Sequence, residues 1–211
     1  MDTTAIETII TDQCSEHHAE TDIHDLLAAV AGHQGIDASE ADLQRGTEFV
    51  YAYIRQVPYM IKVALTAAEM VGLREEMKQV VAMVTRYWEQ DDDIIPDHLG
   101  VIGLLDDAYC SLTSMQAVSD HFQLQTGKFL FPDDLTSANK AMRKIIGEPY
   151  ASDLDRIVIR TMQETHLVQA VKKLASEEKQ ILFARQSTIW NHNPAGDMSI
   201  DDLAGLGLVE N

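Results

Sequence analysis

Cysteine is nearly absent from this 211-residue chain, which holds only Cys14 and Cys110. Two thiols so far apart are too few and too scattered for a disulfide framework. The opening residues lack both a basic n-region and an apolar core long enough for export, so the expected location is a reducing cytoplasm. Long apolar runs are missing as well. The longest, Leu99 to Leu105, falls far short of the roughly 20 residues that a transmembrane helix needs. Basic residues are scarce: 16 Lys and Arg stand against 34 Asp and Glu, a formal charge of −18. Nucleic acid is excluded as a partner, because a phosphate backbone requires a basic face, and anionic membrane surfaces are disfavoured on the same ground. Solubility, cationic partners or bound divalent ions fit this balance. The chain has no phosphate loop, dinucleotide glycine pattern, nucleophile elbow or HExxH helix, so catalysis has little to stand on. No internal repeat, low-complexity block or strand-like alternation is found.

What remains is helical. The apolar content of 45% is ordinary for a globular protein, and its periodicity predicts an all-α helical bundle with a central, acidic-mouthed helical hairpin and a long C-terminal amphipathic helix or helix pair. Residues 1–38 form an acidic N-terminal segment; the first 44 residues contain ten Asp and Glu but no Lys or Arg. Cys14, His17 or His18, and His24 offer a metal reading there, although their spacing matches no zinc template. The plainer reading is the solvated face of a short helix from Thr21 to Ala31, closed by Gly32 and Gly35. Residues 39–148 read as the helical core. Ser39 is its N-cap, with Asp42 completing a capping box. Phe49, Val50, Tyr53, Ile54 and Val57 recur at core spacing, and Pro58 predicts a helix start or a kink. After Gly72, Met77, Val80, Val81 and Val84 mark another amphipathic helix that ends in Tyr87 and Trp88, read as core anchors or as a ligand wall. Phe129 and Phe131, in the best linker candidate, read as core or as a docking patch.

The stretch Asp91 to Leu112 organises the rest. Pro96 must end the preceding helix and permits a new one only from that point. Asp97 is placed to cap that new helix, with Asp93 at the same mouth. Gly100, Gly103 and Asp107 would then share one side of it. Asp106 falls on an apolar face with Leu99, Ile102 and Cys110, and a carboxylate so placed must pair, bind a cation or take up a proton. Its candidate partners are Arg86, Arg55, Lys62, the open N-terminus at Pro96 and Asp97, or a divalent metal shared with Asp93, Asp97 and Asp107.

The run Asp93, Ile94, Ile95, Pro96, Asp97, followed by Gly103, Leu104, Leu105, Asp106, Asp107 and Ala108, resembles the signature of the YkvA-like family, a small helical domain of unknown function found widely in bacteria. The resemblance covers Trp88 to Thr113. It departs at His98, Leu99 and Gly100, where that family usually has an aromatic, an aliphatic and a second proline. It implies a helical hairpin with an acidic mouth and supplies no activity.

Residues 149–192 carry a periodic stretch rich in Arg and Lys, capped at Ser152. As one helix, Asp153 to Trp190 would reach about 57 Å; alternatively, Ser176, Glu177 and Glu178 would cap a second helix. Residues 135–193 hold nine Lys and Arg against six Asp and Glu, a positive arm able to fold onto the acidic hairpin of its own chain or of another copy. Residues 193–211 read as a tail in which Ser199 to Leu206 can form one short capped turn, otherwise frayed or loosely packed, or as a short partner-docking peptide. Three expectations follow. The first is a scaffold or adaptor without catalytic activity that engages a protein partner or a second copy. The second is a divalent-metal-binding protein, or a metal-dependent hydrolase, that uses Asp93, Asp97, Asp106 and Asp107. The third, against which net charge speaks, is a peripheral membrane module.

Overall fold

The computed structural model describes residues 3–89, 94–175, 196–197 and 200–209. Its described residues form an all-α bundle of eight α-helices. The first three are α1 (Thr4–Cys14), α2 (Ala19–His33) and α3 (Glu40–Met70). The capping box that opens α3 is present: Ser39 Oγ accepts from the Asp42 N–H at 3.2 Å, and the Asp42 carboxylate accepts from the Ser39 N–H at 3.2 Å. The Ser39 hydroxyl, which also donates to the Asp42 carboxylate at 2.5 Å, together with the Ser39 N–H and Arg45 at 2.6 Å, holds the Asp42 carboxyl below its ordinary range. Pro58 neither starts nor ends a helix; it lies inside α3. A helix-interior proline costs about 3 kcal/mol, and the burial of Ile54, Val57, Met60 and Ile61 around it keeps one continuous apolar stripe in the core.

After α4 (Arg74–Tyr87), a short 3-10 helix (Asp97–Ile102) leads into α5 (Leu104–Thr126). α5 is the centre of the molecule, packed against α3, α4, α6 (Thr136–Ile146), α7 (Tyr150–Glu164) and α8 (Leu167–Leu174). The sequence explains how one helix can be surrounded. Small residues, Ala108, Cys110, Ser111, Ser114 and Ser119, alternate with Leu112, Met115, Val118 and Phe122, and all of them are buried, so neighbours approach on every side. Gly127 ends it in the left-handed conformation (φ 71°), its N–H bonded to the Gln123 carbonyl at 2.8 Å.

Trp88 and Phe131 are core residues; the Trp88 indole N–H donates to Ser111 Oγ at 2.9 Å, and Phe129 is half-buried. The basic C-terminal stretch is not a single helix. It breaks at Thr165, extended in backbone (ψ 139°) and buried, its hydroxyl donating to the Thr161 carbonyl at 2.9 Å. Ser152 is not its cap: α7 starts at Tyr150, and the Ser152 hydroxyl donates to Glu148. The proposed second cap at Ser176 to Glu178 lies outside the described residues. Nor is the tail frayed where it is described. A second 3-10 helix (Asp201–Leu206) lies on α3, with Leu203, Leu206 and Leu208 buried. Asp133–Asp134 and Gly196–Asp197 form a two-residue parallel pair, β1 and β2. No helix among the described residues is long and apolar enough to cross a membrane.

Candidate functional site

The corner between α4 and α5 is built differently from a simple helix start at Pro96. Gly100 has φ 64° and ψ −131°, a conformation that no right-handed helix contains and that favours glycine. The α-helix therefore begins only at Leu104, and Gly100, Gly103 and Asp107 do not share one helical face. Gly100 also lies against α1: a Cβ there would stand 3.2 Å from Glu16 Oε2 and 3.6 Å from Gln13 Oε1. Asp97 opens the 3-10 helix, but its side chain, like the whole of Asp93, lies outside what the structure describes.

Asp106 and Asp107 are thus in the first turn of α5, where a helix dipole favours negative charge. Both are buried; Asp106 is 0% exposed. The Asp106 carboxylate accepts three hydrogen bonds. Oδ2 takes the Ile95 N–H at 2.9 Å and the Tyr87 hydroxyl at 3.2 Å, and Oδ1 takes the Asp107 N–H at 3.0 Å. Of the partners expected for it, none of the cations reaches it. Lys62 pairs with Glu7 at 2.7 Å, Arg55 lies over the Tyr51 ring, and Arg86 lines a cleft between α4, α5 and α7. The reason is geometric: the residue just before Pro96 still has an N–H, and the turn at Gly100 brings it over the open end of α5. Burial pushes the Asp106 carboxyl above its ordinary range, against the three hydrogen bonds that favour its charged form. One buried carboxylate therefore ties together the end of α4, the segment before Pro96 and the start of α5.

No three His, Cys, Asp or Glu side chains among the described residues stand close enough to share a metal ion. Of the four aspartates of the mouth, the structure brings Asp106 and Asp107 together at the start of α5. In the N-terminal segment, His24 faces Glu40 at 3.3 Å, and the His17 and His18 rings meet edge to face, so the Cys14, His17, His18 and His24 reading gathers no such group either.

The other side of the corner is apolar. Ile94, Ile95, Pro96, Leu99, Ile102 and Leu105 all line one groove, of about 220 Å³, which Leu26 of α2, Ile145 and Ile146 of α6 and Tyr150 of α7 complete. Leu99 is 45% and Tyr150 49% exposed, two of the few large hydrophobic side chains among the described residues that face solvent. The same twelve-residue stretch, 94–105, that positions Asp106 below also builds a greasy depression above. Sequence reasoning missed Leu26, Ile145, Ile146 and Tyr150, which lie far from the motif in the chain. Only the pair Ile145–Ile146 before Gly147 carried a signal, as an apolar helix end. No protein-family model, no curated protein and no solved structure matches this chain.

Proposed function

We propose that this protein is a helical adaptor without catalytic activity, built around a YkvA-like corner, and that the groove beside Leu99 takes up a cationic amphipathic helix of a protein partner. The observation that carries this reading is the groove itself, in which every lining side chain among the described residues is apolar or aromatic while Leu99 and Tyr150 stand half-exposed. An exposed apolar depression rimmed by polar surface is the usual seat of an amphipathic helix. Charge selects the partner's sign. Leu26, one wall of the groove, belongs to α2, whose Glu20, Asp22 and Asp25 come from the stretch without Lys or Arg, and the chain as a whole carries −18. Asp106 acts here as a positioning residue: it holds Ile95 and the 3-10 helix in place, and these present the groove.

The test uses the full chain and a fluorescent helical peptide with leucines at i, i+3, i+4 and i+7 and lysines elsewhere. Anisotropy should report saturable binding that weakens with salt and falls by about tenfold or more in Leu99→Asp and in Tyr150→Asp. Both residues are exposed, so the melting temperature should hold. Undiminished binding by the variants would overturn the reading. Self-association that both substitutions abolish would replace the peptide with a second copy. A divalent metal retained through purification, whose removal lowers the melting temperature, would favour the cation reading of Asp93, Asp97, Asp106 and Asp107 instead.

A further inference from the structure

In so acidic a chain, arginines find partners easily. Arg45 pairs with Asp42, Arg74 with Glu69, Arg143 with Asp155 and Glu148, and Arg156 with Asp153, while Arg55 lies over the Tyr51 ring. Among the described residues, Arg86 and Arg160 alone of the arginines do neither, and these two line the same cleft. That cleft, of about 340 Å³, opens between α4, α5 and α7. Its volume lies within the range of small-molecule sites. The remainder of its wall is mixed: Val84 and Ile157 are apolar, Ser114 and Thr161 bring hydroxyl groups, and Glu164 brings the one carboxylate among the described lining residues.

We propose that this cleft binds a small organic carboxylate with an apolar body, its carboxylate between Arg86 and Arg160 and its hydrocarbon part against Val84 and Ile157. Guanidinium groups suit this task because their planar forks donate two parallel hydrogen bonds to a carboxylate. Charge count favours a monoanion over a phosphate dianion. Glu164 offsets one of the two cationic groups, and a net charge of −18 penalises each further negative charge brought to the surface. The apolar wall adds a preference that inorganic ions cannot satisfy. This site is separate from the groove at Leu99 and does not depend on what that groove binds.

The proposal is tested by titrating the full chain with hexanoate, hexanamide and inorganic phosphate, followed by calorimetry and by amide chemical shifts. Hexanoate should bind saturably at one site, and phosphate and the uncharged amide should bind at least about tenfold more weakly. Arg86→Gln and Arg160→Gln should each weaken hexanoate several-fold, and the double variant by about tenfold or more. Both arginines are exposed, so each single variant should melt as the parent does. Absence of hexanoate binding, equal binding of the amide or of phosphate, or an undiminished double variant would each overturn the assignment.

Discussion

Asp106 is the residue on which the corner turns, and its chemistry is that of an anchor. A buried carboxylate without partners would be costly; this one accepts two backbone N–H groups and a phenol, which is why it can remain at the head of a core helix. Asp106→Asn would turn its amide NH2, in either orientation, toward a backbone N–H of Ile95 or Asp107, which can only donate. A loss of about 1–3 kcal/mol is expected in urea unfolding. The pH dependence of that loss has a definite sign. Because burial raises the folded pKa of Asp106 above its unfolded value, the folded state binds more protons in that window, and this group's contribution falls as pH rises through it. The gap between parent and variant should therefore be widest at and below about pH 4 and narrow toward neutrality. Asp120 and Asp133, also raised by burial, are common to both proteins and cancel in the difference. A gap that widens with pH would show that the hydrogen bonds outweigh desolvation.

Among the elements, α3 and α5 divide the work. α5 supplies the centre, and α3, capped at Ser39 and running through Pro58, supplies the long wall on which α1, α2 and the C-terminal 3-10 helix lie. Gly46 is a point of close approach between α3, α2 and the C-terminal 3-10 helix. A Cβ there would stand 2.5 Å from Leu206 Cδ1 and 2.8 Å from Leu27 Cδ1. Gly46→Leu should therefore unseat the Asp201–Leu206 turn, lower stability by about 1–3 kcal/mol through overpacking, and speed proteolytic cleavage around residues 200–209. Unchanged protection of that segment would mean that the leucines of the tail repack without loss. A second junction, Arg143, ties three helices: it donates to Asp155 at 3.0 Å and to Glu148 at 2.8 Å, and Asp155 also accepts from Tyr109 of α5 at 2.7 Å. It is more than a third exposed, so water screens much of its strength.

For the molecule as a whole, charge is the dominant fact. A net −18 on a chain with sequence pI ≈ 4.6 means that compaction works against self-repulsion. Raising salt from about 0.02 to about 0.5 M shortens the range of that repulsion several-fold, and the melting temperature should rise by about 2–4 °C. A flat or falling response would indicate that the ion pairs at Arg45, Arg74, Arg143 and Arg156 outweigh the repulsion. On the two proposals above, the same charge would give the recesses opposite tasks: the groove at Leu99 would take a cationic helix, and the cleft at Arg86 and Arg160 a small carboxylate.

The chain's own pattern was enough for the helical class, the Ser39 capping box, the core stripes of α3 and α4, and the importance of the stretch around Asp106. Each of these rests on neighbours within a few residues, so local spacing carries it. Four other features were beyond local reading: Pro58 buried inside α3, the late start of α5 at Leu104, the break at Thr165 and the seating of the tail on Gly46. There, propensity pointed one way and packing against distant helices decided the outcome. The partners of Asp106 and the walls of the groove belong to the same class. They join residues 87, 95 and 106, or 26, 99 and 150, and only the folded chain brings such residues together, because burial rewards contacts regardless of their separation in sequence.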